Sequence, residues 1–233
     1  MSVLLLKLAG PLQSWGSSSR FARRGTEPAP TKSGVIGLLA AAKGIRRAEP
    51  LTELLGLEFG VRIDQPGQVL RDFQTARPLD GRSSAPLTYR FYLSDAVFLA
   101  AVGGEAELLY GLAEALDRPR FPLYLGRRSC PPVGPVSLGV HDGTLDGALT
   151  DWPWLAAEWH RRKAARTVRL EIVRDARPGE PVHETVPDEP VSFDPAHRQH
   201  TWRSVLRRHV DVTNDLAERA GVVDHDPLSL LGG

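Results

Sequence analysis

Apolar residues fill positions 3–6 and 8, a run bounded by Ser2 and Lys7 that reads as a short buried strand. At 31–43 the spacing changes to a helical one. Thr31 and Ser33 are both suited to cap that helix, and Gly44 stands where a helix C-terminus favours glycine. Residues 50–55 fit one or two helical turns. Apolar and polar residues alternate over 59–64 (Phe59, Val61 and Ile63 against Arg62 and Asp64), the pattern of a half-buried strand. Two further strands are predicted at 69–75 and 87–93. The segment 76–86 between them is polar, rich in Gly and Pro, and too long for a tight turn, so it reads as a mobile tip. A buried strand is predicted at 96–102 and a helix at 105–116, with Leu108, Leu109, Leu112, Ala115 and Leu116 on one face. Strands are predicted again at 122–126 and 133–139.

Without the inserted hairpin this order is that of a ferredoxin-like βαββαβ core, an α+β plan shared with RNA-recognition folds of RRM type. The aromatic signature of an RRM sheet is missing, which moves any nucleic-acid chemistry to the loops and the hairpin. Residues 141–150, rich in Gly and Asp, read as a linker. Asp151 with Pro153 then reads as the start of a helix running to about 165 and carrying Trp152, Trp154 and Trp159, whose indoles suit core packing. Strands are predicted at 167–174 and 201–212, with a long Pro-rich loop between them. The reading is therefore one ferredoxin-like domain over 1–140, with a hairpin at 69–93, and a small C-terminal α+β subdomain over 141–233.

Composition narrows the class. The 233 residues suffice for a substantial core, and no apolar run approaches membrane-spanning length. The first residues do not form a signal peptide, and one cysteine, Cys130, allows neither an internal disulfide nor a cysteine zinc cluster. A soluble cytoplasmic protein is expected. The formal net charge of +1 hides an uneven layout. Residues 1–47 hold eight Lys or Arg against one acid, Glu27, and neither 118–141 nor 198–208 contains an acid among its arginines. Separated basic segments of this kind can converge on one polyanion, and arginine suits bidentate phosphate contacts.

The candidate chemistry lies in two places. Gln13, Ser14 and Trp15 sit in a Gly-flanked loop after the first strand. Arg20, Arg23 and Arg24 follow, and then Thr31, Lys32 and Ser33 at a helix N-terminus, where free N–H groups attract anions. A nucleotide-binding loop would need glycine at Thr26 and Thr31, which sets an NTP aside; the residues alone leave open a backbone phosphate of single-stranded RNA, with Trp15 offering a stacking surface, and an ordinary βα unit with a solvated basic loop. The second place is Arg127-Arg128, read as neighbours on a strand with opposite orientations, one towards a ligand and the other supporting a partner subunit or an internal carboxylate. Arg71 and Arg90 on the predicted hairpin extend the same surface. Cys130 lacks a catalytic partner motif, and the seven histidines show no tight metal-ligand spacing, so neither a cofactor nor a metal is expected.

Four blocks carry a family resemblance. They are the segment 8–16 (Leu8-Ala9-Gly10-Pro11-Leu12-Gln13-Ser14-Trp15-Gly16), Leu70-Arg71-Asp72-Phe73-Gln74-Thr75, Tyr92-Leu93-Ser94-Asp95-Ala96-Val97-Phe98 and Tyr124-Leu125-Gly126-Arg127-Arg128-Ser129-Cys130-Pro131. In this order they resemble the Cas-five family subunit of subtype I-E CRISPR Cascade complexes, and beyond about residue 140 the similarity thins. The resemblance implies a non-catalytic subunit that binds the 5′ handle of CRISPR RNA, caps the backbone filament, and contacts the large PAM-reading subunit and a backbone subunit. It meets target DNA only indirectly and no membrane. The resemblance also implies that 1–140 is the RNA-binding domain and that the hairpin is a protruding thumb. In another CRISPR subtype the related subunit is a metal-independent endoribonuclease using Tyr, Lys and His. That alternative stays open here, with Tyr89, Tyr92, Tyr110 and Tyr124 as the available phenols.

Overall fold

The computed structural model describes residues 2–17, 23–75, 79 and 86–217. In chain order the elements are β1 (Ser2–Ala9), β2 (Leu12–Gln13), β3 (Arg23–Arg24), α1 (Lys32–Lys43), β4 (Glu58–Gln65), β5 (Gln68–Gln74), β6 (Thr88–Ser94), β7 (Val97–Gly104), α2 (Ala106–Asp117), β8 (Ser137–Asp142), α3 (Leu145–Asp151), α4 (Glu158–Lys163), β9 (Thr167–Asp175), β10 (Glu184–Ser192) and β11 (Gln199–Thr213). They form a mixed α+β fold. A seven-stranded sheet runs β10-β11-β9-β4-β7-β1-β8, every neighbouring pair antiparallel. A second, smaller sheet holds β2, β6, β3 and β5, with β5 and β6 paired antiparallel from Gln68↔Ser94 to Gln74↔Thr88.

Helix α1 forms where the sequence predicts it. Thr31 caps it through its hydroxyl, which accepts from the Gly34 N–H, and Gly44 closes it in the left-handed conformation. Its apolar face, with Val35, Ile36 and Leu39, packs with Leu109, Leu112 and Leu116 of α2 over one face of the large sheet. Leu145 and Leu149 of α3 pack with Val3, Leu5, Leu99 and Ile172 on the other face. The centre of the sheet is therefore covered on both sides. This explains why β4 is not the half-buried strand its alternation implies: Arg62 is 0% exposed and Asp64 1%. The polar positions of the alternation hold an internal ion pair, Arg62 Nε to Asp64 Oδ1 at 2.7 Å. The rest of the guanidinium donates to the carbonyls of Leu149, Trp152 and Pro153.

Several sequence-based expectations need correction. Residues 50–55 form turns rather than helix, and 122–126 form no strand. Residues 141–150 are the end of β8 and most of α3, not a linker, so a division after residue 140 would run through a strand. The predicted helix from Asp151 is broken: α3 ends at Asp151, Trp152 and Trp154 lie in the connection that follows, and Trp159 lies in α4. Pro153 forces that break, because the residue before a proline is driven out of helical conformation, and Trp152 is extended at ψ 139. The Pro-rich loop contains β10. Its Pro187 and Pro190 are compatible with a strand because β10 is an edge and its register shifts at both prolines. Most of the expected mobile tip, 76–86, lies outside the described residues, as does Arg20.

Candidate nucleic-acid interface

The Gly-flanked loop after β1 is an internal brace. Gln13 is 0% exposed; its amide donates to the carbonyls of Leu8 (3.1 Å) and Ala96 (2.7 Å), and its Oε1 accepts the Trp15 indole N–H at 3.1 Å. Trp15 is also 0% exposed, so the expected exposed stacking surface is corrected: the indole is a core plug. It lies so close to α1 that a Cβ on Gly34 would stand 2.8 Å from its ring. The Ser14 hydroxyl donates to the Phe91 carbonyl at 3.0 Å. Gly126, at φ 84, lies against the Ser14 carbonyl, where a Cβ would come within 1.8 Å. That contact seats the turn carrying Arg127 and Arg128 on the same brace.

The N-terminus of α1 is likewise occupied from within. Thr31, Lys32 and Ser33 are buried. The Lys32 backbone N–H donates to Asp188 Oδ2 at 2.8 Å, and the Lys32 ammonium lies 3.1 Å from Asp175 Oδ2 and 2.8 Å from Glu189 Oε2. Arg203 grips Asp188 through Nε and Nη2 and Asp175 through Nη1, each at 2.8 Å. The anion that the helix dipole favours is therefore the carboxylate of Asp188, delivered by β10. This corrects the expectation of a phosphate at 30–33. Nothing in the local sequence signals the arrangement, because Asp188 lies 156 residues away.

Arg127 and Arg128 do divide into an inward and an outward residue, but on a turn and not a strand. The Arg127 guanidinium donates to the carbonyls of Arg24 (2.8 Å), Gly25 (3.2 Å) and Phe91 (3.2 Å) and stacks 4.8 Å from the Tyr92 ring. Arg128 is exposed and has no carboxylate partner among the described residues. Cys130 beside it is buried, and burial pushes its thiol up, away from the reactive thiolate.

The remaining predicted residues meet on the small sheet. β3 pairs with β6 in parallel, setting Arg23 beside Tyr89 and Arg24 beside Arg90, while β5 sets Phe73 opposite Tyr89, Arg71 opposite Phe91 and Asp72 opposite Arg90. Arg24 and Arg71 are exposed. The Arg71 guanidinium lies 5.6 Å from the Tyr89 ring. Arg90 Nε is buried and makes no hydrogen bond among the described residues. Val69 and Phe73 are both 67% exposed, an unusual exposure of apolar surface on a strand pair. Arg71 shares its face of the strand pair with Phe73, Tyr89 and Phe91, while Arg24 and Arg90 lie on the other face; an arginine without a carboxylate partner among exposed aromatic rings is chemically suited to a single-stranded polyanion with stackable bases. Sequence reasoning identified the arginines. It gave no role to Phe73 and Phe91 and named Tyr89 only as a phenol for the nuclease alternative; the signal for all three was aromatic positions on a hairpin with no helix to cover it.

Comparison with known proteins converges on one group. Residues 3–206 match the sequence profile of the family described as CRISPR-associated protein (Cas_Cas5). The chain is 36% identical over 162 residues to the CRISPR system Cascade subunit CasD of Escherichia coli (strain K12), a match covering 60% of this chain and 71% of that protein. A chain of a solved CRISPR RNA-guided surveillance complex superimposes with a TM-score of 0.74 at 32% identity, covering 94% of this chain and 95% of its own. A crystal structure of a Cas protein gives 0.69 at 38% identity, covering 92% and 97%.

Proposed function

Because the chain belongs to the Cas5 family of CRISPR-associated proteins, we propose that it is a non-catalytic subunit of a subtype I-E Cascade surveillance complex. In this reading it holds the 5′ handle of CRISPR RNA and caps one end of the backbone filament. It contacts the large PAM-reading subunit and the adjoining backbone subunit, and meets target DNA only through the RNA, in the cytoplasm. Its core is ferredoxin-like: β8-β1-β7-β4 has the strand order expected of a βαββαβ unit, α1 and α2 being the two crossovers. The β5–β6 pair is the inserted thumb, and β9–β11 extend the core sheet.

The observation that carries the reading is Arg71 on one face of the β5–β6 pair with Phe73, Tyr89 and Phe91, together with Arg24 and Arg90 on its other face and the exposed Arg128 on its turn, none of these arginines having a carboxylate partner among the described residues. Gln13, Ser14, Trp15, Thr31, Lys32, Ser33 and Arg127 position these side chains from beneath. Sequence choice is delegated to guide pairing in such complexes, so a protein surface that grips backbone and stacks bases is sufficient. The test is fluorescence anisotropy with a labelled RNA carrying the repeat-derived handle, using the wild-type chain and the R71A/R90A/R128A variant. The variant is expected to bind weakly and with a flatter salt dependence, the RNA remaining intact with or without EDTA. Specific cuts abolished by a Tyr89 substitution would establish the endoribonuclease alternative instead.

A further inference from the structure

The most basic local stretch of the described chain takes no part in the surface above. Residues 159–166 read Trp-His-Arg-Arg-Lys-Ala-Ala-Arg, without an acid. They form α4 and the connector to β9, on the far side of the large sheet from α1. Trp159 is 53% exposed, its ring edge-on to His160 at 5.6 Å, with the Lys163 ammonium 5.8 Å from it. Arg162 is paired with Glu158. Lys163 and Arg166 are exposed and have no carboxylate partner among the described residues. Cations in the last turn complement a helix dipole, which accounts for Arg161 to Lys163 as ordinary stabilisation. It does not account for Arg166, which lies beyond the helix, or for the Trp159 indole left in solvent beside Lys163.

The platform is fixed at both ends. Asn214, 2% exposed, places its amide nitrogen 2.6 Å from the Arg161 carbonyl and 3.1 Å from that of Ala165. At the other end the Ala157 N–H, just before α4, donates to Gln65 Oε1 at 3.1 Å, while the amide nitrogen of Gln65 donates to the Asp95 carbonyl. Gln65 closes β4 three residues before β5 begins, and Asp95 follows β6 directly. One glutamine therefore ties α4 to both feet of the thumb.

We propose that α4 and its connector form a second contact for single-stranded RNA, continuous with the thumb. Trp159 stacks on a base, and Lys163 and Arg166 hold the flanking phosphates of the strand that leaves the thumb's root. Base stacking on an exposed aromatic between cations is the recurring device for gripping single strands without reading sequence. That the strand is RNA rests on the reading given above.

The experiment uses the full chain and a labelled oligouridine of about sixteen nucleotides, at the upper end of the site size of one single-strand-binding module. Anisotropy is measured for wild type, W159A/K163A/R166A and the thumb variant R71A/R90A/R128A. The α4 variant is expected to bind about tenfold more weakly, with a salt slope reduced by about two charges. Trp159→Phe is expected to retain most of the affinity and Trp159→Leu to lose it. The melting temperatures should match wild type, because these side chains are exposed. Wild-type affinity in the α4 variant overturns the proposal whatever the thumb variant does. Full binding by the thumb variant with loss only in the α4 variant keeps the α4 contact and removes the thumb reading. Equal rescue by Phe and Leu, or binding to phosphatidylserine–phosphatidylcholine vesicles that depends on these residues while RNA affinity does not, also overturns it.

Discussion

Two basic side chains that look alike in the sequence should behave in opposite ways. Lys32 faces Asp175 and Glu189 from a site only 6% exposed, so Lys32→Ala leaves Glu189 without its cation and Asp175 with Arg203 alone. It should lower stability by about 2 kcal/mol, less than the loss from a wholly buried pair because both carboxylates keep some solvent, with RNA affinity following only the folded fraction. Arg128→Ala should leave the melting temperature unchanged, weaken RNA binding by about 1–3 kcal/mol and remove about one charge from the salt slope. Parallel thermal and anisotropy measurements on the two variants check the contrast. A third residue gives the pH dependence. Burial, reinforced by the neighbouring Arg198, holds His200 below its ordinary 6.5. The unfolded chain therefore takes up the proton first on acidification. His200 contributes to stability above about pH 6.5 and loses that contribution as the pH falls towards its folded value. His200→Gln should flatten the melting temperature between about pH 7 and 5 relative to wild type.

At the scale of elements, the thumb separates a root from an end. Tyr92 and Leu93 of β6 are 3% exposed and anchor the root in the core, whereas Phe73 and Tyr89, paired farther out, are open to solvent. Replacing residues 76–86 by a short Gly-Ser linker should leave the melting temperature within a degree or two, since loop closure depends weakly on length. In the assembled complex it should change the chemical reactivity of one or two nucleotides beside the handle. An unchanged footprint would take the thumb out of RNA placement. The hairpin was legible because two strand-like segments, 69–75 and 87–93, flank a Gly/Pro segment, and α1 because Thr31 and Gly44 bound it. β10 was not legible, since a strand with Pro187 and Pro190 is possible only at a sheet edge, and edges are set by the whole topology. Nor was the burial of Trp15 and Lys32. Both positions follow from partners elsewhere in the chain: the Trp15 carbonyl accepts from the Glu27 N–H and its indole donates to Gln13, itself held by the Ala96 carbonyl, while Lys32 meets Asp175.

For the molecule as a whole, β9 continues the sheet from β4, and Asp188 and Arg203 complete the setting of α1. A chain ending after residue 140 would expose the β4 edge and leave Lys32 facing no carboxylate. It should show no cooperative thermal transition, whereas a sharp transition near that of the full chain would make the first 140 residues an independent unit. The Asp188 contact also sets an order of events during synthesis. The 156 residues between the Lys32 N–H and the side chain that receives it take roughly ten to thirty seconds to emerge at the usual pace of translation. Throughout that interval the nascent helix end carries an unanswered positive field beside an unmatched ammonium. Helix α1 thus waits on β10, and the native setting of its first turn is withheld until Asp188 has emerged.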